Sequence, residues 1–255
     1  MTEPHDPLLP AGHDDWRDSQ QPLDEADSLA EIAGVQAQLA AASRVLDLGC
    51  GAGRVLLPLI EAGHTVVGMD TRADFLDQCQ ARIHERIEKR GGDASRATLV
   101  QADVLHDWPP TVRDAGPFDA VICLGRTLAT VVSPDVTVEL FRRIGEALRP
   151  GGVLLVDNFP DEFWADVAEG NWQEGVSEDG RWQMLWQPGD AVVAVRYGEA
   201  VDTENWTIGP ADQPIRLWTA MDFALHAKMT GLSAPQREAE GRLLAFERSA
   251  HQPGR

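Results

Sequence analysis

The chain has 255 residues, 43% of them apolar, which is enough to bury one or two cores and too apolar for a disordered chain. Its 22 Lys and Arg stand against 41 Asp and Glu, a net charge of −19 that argues against a nucleic-acid or anionic-membrane partner, since both need a cationic footprint. No apolar run approaches the roughly 20 residues of a membrane helix, and the opening MTEPHDPLLP has neither a basic nor an apolar leader region, so the chain reads as cytoplasmic.

Residues 1–22 carry Pro4, Pro7, Pro10 and Pro22 without apolar periodicity and are expected to form a flexible arm, followed by a single domain over 23–255. From Asp24 onward Leu29, Ile32, Ala33 and Leu39 recur at helical spacing, which predicts a helix to about Ala42. Short runs rich in Val, Ile and Leu then occur at 44–48, 65–69, 98–102, 118–124 and 152–157, as suits strands buried on both faces of a parallel sheet. Helical patterns separate them at 54–62, 72–90 and 134–148, the last with a Ser133-Pro134 start and a Pro150-Gly151-Gly152 stop. Strands alternating with helices make this a doubly wound α/β sheet.

Residues 158–216 break the alternation, with five of the eight Trp residues and 12 acidic against 3 basic side chains. Two alternating runs, 181–187 and 191–197, flank Pro188-Gly189-Asp190 and predict a hairpin, hence an inserted antiparallel β flap. The earlier pattern resumes with a helix near 221–230, a Gly231 stop and a final strand at 242–248. Cys50, Cys79 and Cys123 are odd in number and widely spaced, with no metal-ligand pattern, and read as reduced, mostly buried side chains; no metal site is expected.

Ligands of open α/β sheets bind at the carboxyl ends of the strands, so the residues following each strand are the informative ones. After the first strand, Gly49, Gly51 and Gly53 alternate in Gly-Cys-Gly-Ala-Gly and lead into a helix, which lets the backbone approach a ligand closely. The dinucleotide fingerprint needs a small residue where this chain has Arg54, which argues against nicotinamide or flavin. Asp70 ends the second strand, where a carboxylate can take both hydroxyls of a ribose, and Asp103 ends the third, where it can meet an adenine amino group beside Val104. Each aspartate alone suits a helix cap or a turn as well; three such features at successive strand ends are harder to dismiss.

Residues Val45 to Arg54 (VLDLGCGAGR), Asp70, the Asp103 turn, Phe118 to Cys123 (FDAVIC) and Leu148 to Gly152 (LRPGG) resemble the class I S-adenosylmethionine-dependent methyltransferases. The resemblance implies a Rossmann-like, seven-stranded sheet with an antiparallel last strand, and S-adenosyl-L-methionine as cofactor with S-adenosyl-L-homocysteine as product. It implies that Asp47, Gly49, Cys50, Gly51 and Gly53 hold the methionine end, Asp70 the ribose, Asp103 the adenine amine, and Thr71 and Val104 the adenine faces, with Leu124 beside them. Residues 122–128 and the aromatic flap are most similar to small-molecule members such as the glycine and sarcosine N-methyltransferase group, which usually has Asn-Ser where this chain has Arg126-Thr127. Trp16 is expected to fold over the cofactor as a lid, as N-terminal segments of small-molecule members do.

The methyl donor is strongly electrophilic, so holding a nucleophile in line is the protein's main task, and a base is needed only for a protonated nucleophile. No residue stands out as a base: His64 reads as a solvated surface residue and His226 as a packed or surface one. Arg126, after the fourth strand, could grip a substrate carboxylate or pair with an acid, and Asn158, after the fifth, could orient a substrate. Trp182, Met184 and Trp186 alternate onto one hairpin face, as flap core or as an aromatic, acidic enclosure for a cationic amine. The expected partner is a small metabolite or natural product methylated at nitrogen or oxygen. Protein or RNA methylation and cofactor binding without transfer are the alternatives, and the flap's aromatics would also suit a homodimer interface.

Overall fold

The computed structural model describes residues 25–157, 159, 161–237 and 243–249. Helix α1 (Glu25–Ala37) leads into β1 (Arg44–Leu48), α2 (Leu56–Glu61), β2 (Thr65–Asp70), α3 (Ala73–Arg90) and β3 (Ala97–Gln101). The chain continues through α4 (Pro110–Arg113), β4 (Phe118–Cys123), α5 (Pro134–Ala147) and β5 (Leu148–Asp157). After the insert described below come α7 (Ala220–Thr230), β10 (Gln236–Arg237) and β11 (Leu243–Glu247). Seven strands form one sheet in the order β10-β11-β5-β4-β1-β2-β3, with β11 antiparallel to β5, as the resemblance implies.

Side chains along the strands alternate between two cores. Leu46 and Leu48 of β1, Val121 and Cys123 of β4 and Leu154 and Val156 of β5 enter one, closed by Phe141 and Ile144 of α5 and Phe223 and Ala227 of α7. Val45, Ala120, Ile122 and Leu155 enter the other, closed by Leu56 and Leu59 of α2 and Cys79 and Ile83 of α3. Burial on both faces explains the unbroken apolar runs. From β1 the chain builds outward through β2 and β3 on one side and through β4 and β5 on the other, so the strand order reverses between β1 and β4.

Three boundaries differ from expectation by more than one residue. Helix α1 stops at Ala37 rather than near Ala42, because the chain must turn into β1: Gln38 and Leu39 donate to the carbonyls of Val35 and Gln36, and Ala42 is left-handed at φ 56°. Strand β5 begins at Leu148, and its Arg149-Pro150-Gly151-Gly152 stretch, expected as a stop, bulges while the pairing slips from Phe118↔Leu148 to Ala120↔Val153. Helix α2 starts at Leu56, with residues 51–55 in turns before it.

The described residues divide into two compact units, one of 25–30, 159 and 161–217 and the other of 31–157, 218–237 and 243–249. In the first, α6 (Asp161–Glu169), absent from the expectations, precedes a four-stranded antiparallel sheet β6-β7-β8-β9. Its strands are β6 (Gly175–Val176), β7 (Trp182–Trp186), β8 (Val192–Tyr197) and β9 (Ile215–Arg216). The expected hairpin is β7–β8, in register from Trp182↔Tyr197 to Trp186↔Val193. Phe163 packs edge-on against Trp172 at 4.8 Å and stacks on Phe159 at 4.6 Å, while the Trp186 indole N–H donates to the Trp172 carbonyl at 2.9 Å. The buried Arg196 guanidinium forms a two-pronged pair with Asp212 at 2.8 Å and donates to the carbonyls of Asn205 and Thr207. Gln183 exchanges hydrogen bonds with Asp202 and also donates to Asn205, so two buried polar side chains pin the 198–212 loop.

Candidate functional site

At the β1/β4 reversal, the turn after β1 folds onto the end of β2. The N–H groups of Gly49 and Cys50 both donate to the Met69 carbonyl, at 2.8 and 3.0 Å, and Gly53 closes the turn onto Cys50. All three glycines are left-handed, but their surroundings differ. A Cβ on Gly49 would lie 2.4 Å from Thr127 Oγ1, so that position is packed shut, whereas one on Gly51 would have no neighbour nearer than Phe75 at 4.0 Å. Gly51 is thus where backbone is presented to open space, as close approach of a ligand requires. Its N–H donates to Asp70 Oδ2 at 2.8 Å, and Arg72 N–H donates to Oδ1 at 2.9 Å. Each carboxylate oxygen accepts one backbone donor and has further acceptor capacity for a diol.

Asp103 Oδ1 accepts the Leu105 N–H at 2.8 Å and Oδ2 meets the exposed His106 Nδ1 at 3.0 Å, an aspartate turn that holds the loop after β3. Thr71 is exposed and its carbonyl accepts from Gln101, while Val104 and Leu124 are buried, in different cores. The structure therefore gathers Asp47, the glycine turn and Asp70 at one strand edge, and places Asp103 and Val104 one strand further out. Trp16 and Asn158 lie outside the described residues.

Beside this turn lies a group of charges from which the sequence reading singled out Asp47 and Arg126 but not Glu31 or Asp157. Glu31 of α1 is 4% exposed and ion-paired with Arg54 at the end of the glycine turn. Asp47, also 4% exposed, has its carboxyl pushed up to about 7 by burial, helped by Asp70 and Glu31 and opposed by Arg54. At the end of β5, Asp157 Oδ2 accepts the Arg126 N–H at 2.7 Å, and Arg126 is left-handed at φ 63°, an uncommon conformation for a residue with a side chain. Burial pushes Asp157 up to about 6; Glu31 adds to the shift, and the Arg126 N–H and the Arg126 and Arg54 guanidiniums oppose it. The signals were present: Glu31 stands one helical turn before buried Val35, and Asp157 is the last residue of the predicted fifth strand.

Other expectations meet specific outcomes. His64 is buried, not solvated: its Nδ1 accepts the Ser43 N–H at 3.1 Å, and burial, with Arg96, holds the ring below its usual range. His226 packs between the rings of Phe141 and Trp218 and bonds to the Asp222 carbonyl at 2.7 Å. All three cysteines are free and buried, and burial raises each thiol, that of Cys79 to about 12. Among the flap aromatics Trp172 is 8% exposed and Trp206 37%. Among the described residues no group of three or more His, Cys, Asp or Glu is placed to hold a metal ion, and no helix is long and apolar enough to cross a membrane.

Comparison with known proteins bears on what this edge does. The family described as "Methyltransferase domain" matches residues 45–152. YqeM of Bacillus subtilis (strain 168) is 26% identical over 229 residues, spanning 84% of this chain and 86% of that protein. The glycine/sarcosine N-methyltransferase of Halorhodospira halochloris is 33% identical over 117 residues, which is 46% of this chain but only 40% of that enzyme. Among solved structures, the CcbJ methyltransferase from Streptomyces caelestis superposes with a TM-score of 0.62 over 90% of this chain and 100% of that one, at 19% identity, a likeness of fold. The domain match runs from the start of β1 to the bulge of β5 and so contains the glycine turn, Asp70, Asp103 and Arg126; residues 45–152 form a methyltransferase domain.

Proposed function

We propose that this methyltransferase acts on the nitrogen or oxygen of a small metabolite or natural product. The observation that carries the reading is the charge at the edge formed by β1, β4 and β5: Glu31, Asp47, Asp70 and Asp157 face Arg54 and Arg126, so carboxylates outnumber guanidiniums where cofactor and acceptor meet. That excess suits the ammonium and sulfonium groups of the cofactor and a cationic acceptor better than a phosphate backbone. The partial match to an enzyme named for glycine and sarcosine supports an amine acceptor.

Asp47, Gly49, Cys50, Gly51 and Gly53 then hold the methionine end, Asp70 the ribose hydroxyls, Asp103 the adenine amine, and Thr71, Val104 and Leu124 the apolar surroundings of the base. The cofactor supplies an electrophilic methyl group and leaves as S-adenosyl-L-homocysteine. The chain's own work is positioning and exclusion of water, which can contribute about 7 to 11 kcal/mol of barrier reduction. Arg126, held by Asp157 through its backbone, directs a guanidinium from the loop after β4 and would grip an acceptor carboxylate. The insert carries five Trp and an excess of nine acids over bases, a composition that suits a cationic acceptor. The test is transfer of labelled methyl from S-adenosyl-L-methionine into an extract of the source cells, separated by size. Label in the low-mass fraction supports the reading; label confined to protein or RNA overturns it.

A further inference from the structure

We propose that Asp157 is the general base of the reaction, taking a proton from the ammonium form of an amine acceptor at the carboxyl ends of β4 and β5. The proposal deepens the small-molecule reading above and rests on it. Position comes first. Gly125 and Arg126 are both left-handed, at φ 67° and 63°, and this pair of turns brings the Arg126 N–H onto Asp157 Oδ2 at 2.7 Å. The next residue, Thr127, fills the space against Gly49, so the glycine turn, Thr127, Arg126 and Asp157 form one continuous line of contacts. A group beside Asp157 is therefore also beside the end of β4, next to the turn assigned to the methionine end of the cofactor.

The charges around Asp157 suit it to the task. Among the described residues, Glu31 of α1, Arg54 after β1, Arg126 after β4 and the Cys123 thiol of β4 are the titratable groups that interact with it. Burial and Glu31 outweigh the two guanidiniums and leave the carboxyl titrating at about 6, so it is ionised at neutral pH yet far more basic than an exposed aspartate. The step balances as follows. An N–H bond of the acceptor ammonium breaks and its proton passes to the Asp157 carboxylate. The freed lone pair forms the N–CH3 bond as the S–CH3 bond breaks, giving the methylated ammonium product and S-adenosyl-L-homocysteine, and Asp157 returns its proton to water.

Asp157→Asn keeps an oxygen that can accept the Arg126 N–H while removing the base. S-Adenosyl-L-homocysteine binding, measured by calorimetry without any acceptor, is expected to persist, which marks the cofactor site as still folded. Labelled-methyl transfer, with the low-mass metabolite extract of the source cells as acceptor pool, is then followed between about pH 5 and 9. Wild type should lose rate toward acid pH, and Asp157→Asn should be slower by roughly 100-fold or more and keep only the pH dependence of the amine itself. If Asp157→Asn binds no S-adenosyl-L-homocysteine, Asp157→Glu and Asp157→Gln replace it, with transfer expected in the first alone. Wild-type rate and pH profile in Asp157→Asn or Asp157→Gln, or label found on oxygen, would overturn the proposal and leave the small-molecule reading standing. No low-mass label from the wild-type enzyme would overturn both.

Discussion

The two ends of the seven-stranded sheet treat charge in opposite ways. At the amino end Asp119 accepts the Arg44 N–H at 2.8 Å and the Arg149 Nε at 2.5 Å; burial pushes its carboxyl up, and these bonds outweigh burial and hold it below the usual range. Burial, with Arg96, holds the His64 ring below its usual range there, and its Nδ1 accepts the Ser43 N–H. A cleft of about 200 Å³ at that end, lined by Ser43, Asp119, Arg149 and Glu247 among others, includes the Asp119–Arg149 ion pair. At the carboxyl end the buried Asp47 and the half-buried Asp157 have their carboxyls raised to about 7 and 6, an arrangement that folding alone does not favour. Matched charges hold a fold together, and raised acids mark where an outside cation is to be received.

The largest effect should come from the carboxylate that joins the glycine turn to β2. Asp70→Ala removes charge-assisted hydrogen bonds worth about 1.5 to 3 kcal/mol, which predicts a ten- to hundred-fold loss of S-adenosyl-L-methionine affinity by calorimetry. Asp119→Ala, at the opposite end, should leave that affinity unchanged while lowering thermal stability. Equal losses in the two variants would erase the distinction between the ends.

Within the glycine turn the same comparison holds at the scale of two residues. Gly49→Ala places a Cβ 2.4 Å from Thr127 Oγ1 at φ 75°, so strain and overlap should together cost roughly 2 to 4 kcal/mol of stability in denaturant melts. Gly51→Ala meets open space and should cost only about 1 to 2 kcal/mol of backbone strain, with its main effect on cofactor affinity. A sequence announces both glycines equally. What it cannot announce is that Thr127, 78 residues away, closes over one and leaves the other bare.

That difference generalises. The strands were legible because burial on both faces leaves unbroken runs such as Val45–Leu48 and Ala120–Cys123, and Asp70 and Asp103 were legible because they end such runs. Helix α6 went unread although Phe163 and Val167 stand one turn apart, since the surrounding Trp-rich segment suggested strands. Glu31 and Asp157 went unread for another reason: each is unremarkable locally, and only the crossover connections bring them to one edge with Arg54. Asn158 attracted attention as a residue following a strand, whereas the carboxylate ending that strand is Asp157.

The raised acids should also appear as an inverted pH dependence of stability. Unfolded, Asp47 and Asp157 titrate near their ordinary value of 3.8, and folded, at about 7 and 6. Above pH 7 both are charged in both states and the folded chain bears the full cost of burying them. As pH falls through 7 and 6 the folded state binds protons that the unfolded state does not, so the melting temperature should rise. Groups held low in the folded state, such as Glu139 at about 2 and Asp119, reverse the trend below about pH 4. Asp47→Asn should raise the melting temperature at pH 8 and flatten its rise toward pH 5, by about 2 to 4 °C for each kcal/mol recovered. A melting temperature that only falls between pH 8 and 5 would mean that these carboxyls are not raised.

The smallest effect separates the ends most finely. Each end has a left-handed residue with a side chain, Ala42 before β1 and Arg126 after β4. Glycine at either site relieves roughly 1 to 2 kcal/mol of backbone strain and returns about 0.4 to 1 kcal/mol of it as unfolded-chain entropy. Ala42→Gly and Arg126→Gly should therefore both gain up to about 1 kcal/mol, read as a shift of a few degrees. Their kinetics should diverge. Ala42→Gly should match wild type, because that strain serves only the turn into β1. Arg126→Gly should raise the KM for the acceptor and move the acid limb of the pH profile upward, because Asp157 loses a guanidinium that opposes its raised carboxyl. Matching kinetics in the two variants would reduce Arg126 to a turn residue like Ala42.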